Sequence, residues 1–229
     1  MHGLLISIYT AVFLTSLRPH ENTLGIPNKE VIFEVNPALN KSIARIYAGE
    51  PSDELDTAWH KLMRYANIAI PEQEIRRLDR LDESVRFTDG SGYFGQMTVY
   101  HHLHCIQRIH KFLHVDHYWP NATQEELFLL RAHNTHCLDT LRQSVMCQGD
   151  TSLITFKWGL SQRVPLGNFS SPHTCRDWSA LEEYNKQTWV DVFQLGLVVH
   201  PKFGAAYDTD GKGEGKERQG TGVVVEEGV

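Results

Sequence analysis

Residues 99–150 read VYHHLHCIQRIHKFLHVDHYWPNATQEELFLLRAHNTHCLDTLRQSVMCQGD, and the pattern His-x-x-His-Cys occurs twice in them: His101, His104 and Cys105, then His133, His136 and Cys137. Each copy sits in a run with helical periodicity. On the first, Val99, Leu103, Ile106 and Leu113 fall on one stripe of a 3.6-residue period, with His101, His104 and Cys105 expected on the opposite side. On the second, Leu127, Leu130, Leu138, Leu141 and Val145 make the stripe, and His133, His136 and Cys137 lie away from it. Residues three apart on a helix are neighbours, about 5–6 Å apart at Cβ, so each pair of histidines can reach one metal ion. Thirteen histidines in 229 residues will give some close spacings by accident. The same three fixed positions on two similar helices are a different matter, and they predict a metal site made of His101, His104, His133 and His136. His110, His114 and His117 have no second copy and read as a polar helix end. The expected fold is mainly α with a few short β-strands (α+β), a single domain built on the two motif-bearing amphipathic helices.

These residues resemble the UstYa family of fungal oxidases, found in pathways to cyclic peptide mycotoxins and related secondary metabolites. The similarity is carried by 101–105 (HHLHC), by 133–139 (HNTHCLD), by 141–147 (LRQSVMC) and by Asp150. Ala58-Trp59 upstream and 173–178 (HTCRDW) downstream extend it, so that it covers roughly residues 31–189. Membership would imply an oxidase, with copper as the metal, acting on peptide-like substrates by cyclisation, hydroxylation, dehydrogenation or halogenation. The four motif histidines would then be both the metal ligands and the catalytic residues. His102, Asp150 and His173 stand as second-tier residues of the site or its surroundings. For Trp59 a place in the core is the preferred reading over a substrate contact.

Ligand chemistry narrows the metal independently, though not to one element. Neutral imidazole suits copper, zinc, iron and nickel. Zinc hydrolysis would want a carboxylate base inside the motif, as in His-Glu-x-x-His, and here His102-Leu103 and Asn134-Thr135 occupy those places. No Cys-x-x-Cys-His haem attachment is present. The alternative is a non-catalytic metal-binding partner of another oxidase, whose imidazoles would hold a closed structural site rather than one with an open position.

A chain of this length with 41% hydrophobic residues can bury one good core. A net charge of −6 without a basic patch argues against nucleic acid as a partner. The family resemblance implies a peptide or peptide-derived small molecule as the ligand, and leaves room for a second copy or a related family member as protein partner. Residues 4–17 form an apolar run too short for a bilayer span of about 20 residues but of the length of a secretory core, so residues 1–20 read as a signal peptide or short anchor. No basic segment precedes the run, a departure from the cytosolic tail and full anchor usual in the family. The expected location is the lumen of the secretory pathway, anchored or secreted. Sequons at Asn40, Asn121 and Asn168 lean the same way.

An even number of cysteines in such a chain predicts disulfides. Cys137 and Cys147 lie ten residues apart on one expected helix, about 15 Å, which is too far for a bridge. That leaves two pairings, of which Cys105 with Cys137 and Cys147 with Cys175 is preferred. Elsewhere the sequence predicts a strand at 31–35, a helix at 52–65 capped by Ser52, and a helix at 72–81 after Pro71. It further predicts a hairpin of 85–87 with 93–98 around Asp89-Gly90-Ser91-Gly92, a strand within 152–158 and a last helix at 178–195. The domain is expected to run over 31–195, and the Gly-, Glu- and Lys-rich stretch 204–229 to be a disordered tail.

Overall fold

The structure, a computed structural model, describes residues 24–33 and 45–207. The apolar run at 4–17, Asn40 and residues 208–229 lie outside the described residues. In chain order the elements are β1 (Asn28–Ile32), α1 (Arg45–Ala48), α2 (Asp53–Met63), β2 (Asn67–Ile70), α3 (Glu72–Arg77), β3 (Tyr93–Gln96), α4 (Thr98–Leu113), α5 (Val115–Tyr118), α6 (Gln124–Gln148), β4 (Thr155–Lys157), β5 (Leu166–Asn168), β6 (Pro172–Arg176), α7 (Trp178–Thr188), β7 (Val199–His200) and β8 (Gly204–Ala205). The fold is mainly α with short strands, as the sequence predicts. Among the described residues the strands form four separate antiparallel pairs: β1 with β6, β2 with β3, β4 with β5 and β7 with β8.

The two motifs lie on α4 and α6, which the short α5 turn joins into a helical hairpin. Local sequence defines α6 at both ends. Thr123 Oγ1 accepts from Glu126 N at 3.2 Å while Glu126 Oε2 accepts from Thr123 N at 2.7 Å, a reciprocal cap that satisfies two otherwise orphaned donors. Gly149 closes the helix with φ 50°, a left-handed conformation that glycine adopts at no steric cost. Replacing Thr123 by Ala is expected to lower the unfolding free energy by about 1 kcal/mol. Urea unfolding followed by circular dichroism measures this, and an unchanged midpoint would mean that packing alone sets where α6 begins.

The packing surface of these helices differs from the expected stripe. On α4 the buried residues are Tyr100, Cys105, Arg108 and His110, whereas Leu113 is 75% exposed and Ile106 is exposed too. On α6 Leu130, His133, Asn134 and Cys137 are buried, while Leu138 and Val145 are exposed. The helices meet along their His-Cys faces, so the motif side is the interface. Only the part of each stripe flanking that side, such as Val99, Leu103, Leu127 and Leu141, is drawn inward.

One core cluster joins Ile26, Ala66, Tyr100 and Leu181, tying the segment before β1, the turn between α2 and β2, α4 and α7 together. A second joins Phe87, Val192, Leu197 and Val198, with Tyr207 packed on it. Thus β1 begins before residue 31, and the fold continues beyond 195 into the first residues of the stretch read as a tail: Gly204–Ala205 pairs with Val199–His200. Trp59 is buried and donates from Nε1 to the Tyr47 carbonyl at 3.0 Å, in agreement with a core role.

The hairpin expected at 85–98 is not the main pairing. β3 lies antiparallel to β2, with Asn67 opposite Gln96 and Ile70 opposite Tyr93, while the 85–87 segment pairs with it briefly, Arg86 opposite Tyr93, Phe87 N donating to the Gly92 carbonyl at 2.9 Å and Phe94 N to the Val85 carbonyl at 2.8 Å. Gly95 makes the β2 contact possible, because a Cβ there would overlap the Ile70 side chain. α3 stops at Arg77 because the chain turns at Asp79, where φ is 55°. The last helix ends at Thr188, seven residues short of the expected 195, since Trp189 is extended and bridges Ile68. No helix of the described residues is long and apolar enough to cross a membrane.

Candidate functional site

Antiparallel packing turns the repeated motif into a facing set of rings. His101 stands opposite His136, with ring centroids 6.0 Å apart, and His104 stands opposite His133 at 5.7 Å. Along α4, His101 and His104 are 6.2 Å apart. Cys105 and Cys137, the fifth residue of each motif, also face one another and hydrogen-bond as thiols. Position one thus meets position four, four meets one, and five meets five. A repeat on antiparallel helices must produce this local two-fold arrangement.

The tetrad is graded in exposure. His133 is 6% exposed, His101 and His104 are half-buried, and His136 is exposed, so the His101–His136 side is the open end. Burial lowers the His104 pKa to about 4, helped by the neighbouring His133 and Arg108; burial and then His136 lower that of His101. Both rings are therefore neutral near pH 7 and keep a lone pair. Arg108 is buried beside them with its guanidinium 5.1 Å from the Trp119 ring, and its Nε and Nη2 have no hydrogen-bond partner among the described residues.

Four imidazoles without a carboxylate make a donor set for a borderline transition metal rather than for magnesium or calcium. The spacing is looser than a bound ion requires. Imidazoles sharing one tetrahedral ion at nitrogen–metal distances of about 2.0–2.1 Å have centroids roughly 5 Å apart. The observed 5.7–6.2 Å is wider, and among the described residues no group of three or more His, Cys, Asp or Glu is close enough to hold an ion without movement. The residues fit in kind and number, and the rings would have to draw in by about an ångström.

The second-tier residues fall elsewhere. His102 points along the α4–α6 interface to Ser144, with Nδ1 and Oγ 3.1 Å apart. Asp150 accepts from His173 Nδ1 at 2.6 Å, and the His173 ring stacks on Phe33 at 3.9 Å. Hydrogen bonds from Ser152, then from His173, hold the Asp150 carboxyl at about 2. This pair closes the far end of α6, about 18–20 Å beyond His136 at 1.5 Å per residue, and does not join the tetrad.

All four cysteines are thiols in the structure, so neither bridge expected from the sequence is formed in it. Cys105 and Cys137 are in contact, and burial followed by the neighbouring thiol pushes the Cys105 pKa well above the ordinary range. A buried thiol held protonated in this way is a poor nucleophile. Cys147 is exposed near the end of α6, and Cys175 lies on β6. The Asp150–His173 bond joins the same two segments. Asn121 is exposed in the turn before α6, and Asn168 is half-buried on β5.

Sequence reading assigned no role to Arg108 or to a trough of about 520 Å³ between α4 and α6, whose walls include Thr98, His102, Thr140, Gln143, Ser144 and Gln148. A signal was available for the latter. Thr140 and Ser144 continue the line of His136 at four-residue steps. His110, in the last turn of α4, is buried, with Nε2 donating to the Gly49 carbonyl at 2.7 Å.

Comparison with known proteins gives a family match over residues 2–188, to the family described as mycotoxin biosynthesis protein UstYa. The chain is 28% identical over 148 residues to the UstYa family oxidase phomYc of Diaporthe leptostromiformis, covering 60% of this chain and 57% of that one. It is 31% identical over 160 residues to phomYd of the same organism, covering 68% and 51%. A protein named transacylase cctO, of Talaromyces islandicus, is 26% identical over 163 residues, covering 66% and 54%. The chain thus spans about half the length of the curated relatives it matches. No solved structure matches it.

Proposed function

The chain belongs to the UstYa family, and from that membership we propose that it is a metal-dependent oxidase acting on a peptide or peptide-derived natural product in fungal mycotoxin or related secondary metabolism. One observation carries the reading: the two His-x-x-His pairs, whose nearest members His104 and His133 are 29 residues apart in the chain, are brought ring to ring. His101, His104, His133 and His136 would hold the metal. Copper is the choice that the all-imidazole donor set and the family favour together. When bound, the ion would supply one-electron and dioxygen chemistry, which side chains alone do not provide. The chain's own residues do the rest. His133 and His104 anchor the set in the helix interface. His101 and His136 leave its edge open to substrate, and the buried guanidinium of Arg108 keeps positive charge against His104 and opposes its protonation.

Metal analysis of the full chain tests this reading. Wild-type protein is expected to hold copper in stoichiometric amount, and the variant with all four histidines replaced by Ala to hold none. Copper binding that survives in the quadruple variant, or its absence in the wild type, overturns the assignment.

The reading extends to the secretory lumen and to a second copy or related family member as protein partner. Sequons at Asn121 and Asn168 and an even set of cysteines support the lumenal location. In that compartment Cys105 and Cys137 would be bridged across the helix pair, and Cys147 and Cys175 across the contact that Asp150 and His173 already make. For protein from its native host, glycosidase treatment is expected to raise gel mobility, and non-reducing peptide maps to link these two pairs. Unshifted protein with four free thiols would place it outside the secretory pathway.

A further inference from the structure

We propose that the trough between α4 and α6 seats the main chain of an uncharged peptide segment and presents the neighbouring residue to the open edge of the histidine tetrad. This rests on the peptide-oxidase reading above, but it concerns binding and can be tested without metal. The placement follows from helix geometry. Thr98 lies three residues before His101 on α4, and Thr140 lies four after His136 on α6, so each is one turn from a tetrad ring on its own helix. His101 and His136 are also the exposed end of the tetrad, His133 the buried one. The trough and the accessible rings therefore adjoin, and its volume of about 520 Å³ is that of a small-ligand site.

The lining selects the chemical class. None of its side chains is a carboxylate, an ammonium or a guanidinium. Its polar groups are already ordered into a chain: Gln148 Nε2 donates to Ser144 Oγ at 3.1 Å, and Ser144 Oγ lies 3.1 Å from His102 Nδ1. This bond uses Nδ1 and fixes the plane of the His102 ring in the trough wall. Gln143 is tethered by Nε2 to Asp139 at 2.6 Å. Both glutamine side chains are thus fixed through nitrogen and offer their carbonyl oxygens as acceptors. Two fixed amide carbonyls and an oriented imidazole edge in one trough complement the main-chain amides of an extended peptide. A different hollow, about 440 Å³ over α2, is lined by Asp53, Glu54 and Lys61 and lies off the motif helices, so its charged walls suit a different ligand.

Titration calorimetry on the full chain tests this with N-acetylated, C-amidated pentapeptides of Ala and Gly centred on Tyr, Val or Leu. At least one is expected to bind, and to bind at least about tenfold more weakly once its amides are N-methylated, since several main-chain donors are lost. Ser144→Trp, which fills the trough, is expected to weaken the parent peptide by a similar factor; the N-methylated control needs no variant. Stripping metal with a chelator should leave affinity within about twofold, because the trough residues are not the proposed ligands. If none of the three peptides binds, or if N-methylation or Ser144→Trp leaves affinity unchanged, the seat is wrong even where copper is found. Peptide binding without copper would instead retain the seat and remove the oxidase reading.

Discussion

In the double variant His101→Ala, His104→Ala, bound metal and turnover are expected to fall as far as in the variant lacking all four histidines, a loss of at least about 100-fold, beyond the 10–100-fold typical of residues that only support ligands. The same is expected of His133→Ala with His136→Ala. Each helix supplies two imidazoles, too few to hold a divalent ion against water. The facing distances of 6.0 and 5.7 Å put the completing pair on the other helix. Groups that act as a unit give grossly non-additive losses. Because His133 is buried, its removal also opens the helix interface, so a second comparison is needed: His101→Ala with His136→Ala touches only the open end. All three double variants should fall to the quadruple level in metal content by mass spectrometry, with helicity checked by circular dichroism. If either same-helix double variant kept half the metal and substantial turnover, the motifs would be two separate sites.

Tyr100→Ala is expected to cost about 3–5 kcal/mol of unfolding free energy, which for a chain of this size lowers the thermal midpoint by roughly 6–20 °C. Tyr100 is wholly buried, packs on Ile26, Ala66 and Leu181, and lies 5.7 Å from the Trp178 ring. Tyr100→Phe is expected to be neutral or to stabilise by about 1 kcal/mol, because the buried hydroxyl has no hydrogen-bond partner among the described residues and phenylalanine removes it. Burial, then Glu182, raises its pKa to about 12, so the hydroxyl stays neutral at working pH. Differential scanning calorimetry of both variants separates the two contributions. A loss above about 1 kcal/mol in Tyr100→Phe would show that the hydroxyl does have a partner.

The pairing of the motifs was legible from repetition alone, since identical ligand spacing on two amphipathic runs joined by a short turn implies antiparallel helices with facing rings. Which side of each helix is buried was not. Hydropathy ranks His and Cys below Leu and Val, yet Cys105, His133 and Cys137 fill the interface while Leu113 and Val145 face solvent. Imidazoles and thiols pack well where a matching set faces them, and periodicity within one helix cannot register what stands opposite. The strand at 93–96 and its short pairing with 85–87 were found, but its longer partner β2 was not. The turn at Asp89-Gly92 advertises a local hairpin, while β2 competes from more than twenty residues upstream through the space that Gly95 leaves open. The Ser52 cap, the start of α3 after Pro71 and the core position of Trp59 were legible because each follows from residues within one or two turns, or from a single large side chain.

α6 is also a ruler. It carries His133 and His136 near its middle and ends at Gln148, beside the Asp150–His173 pair. From His136 to Gln148 a straight helix advances about 18 Å. An extended peptide advances about 3.3 Å per residue, so any linear ligand touching both the tetrad's open edge and His173 must be about six residues long. Shorter chains can meet one end or the other but not both, and the length of a single uninterrupted helix sets that threshold.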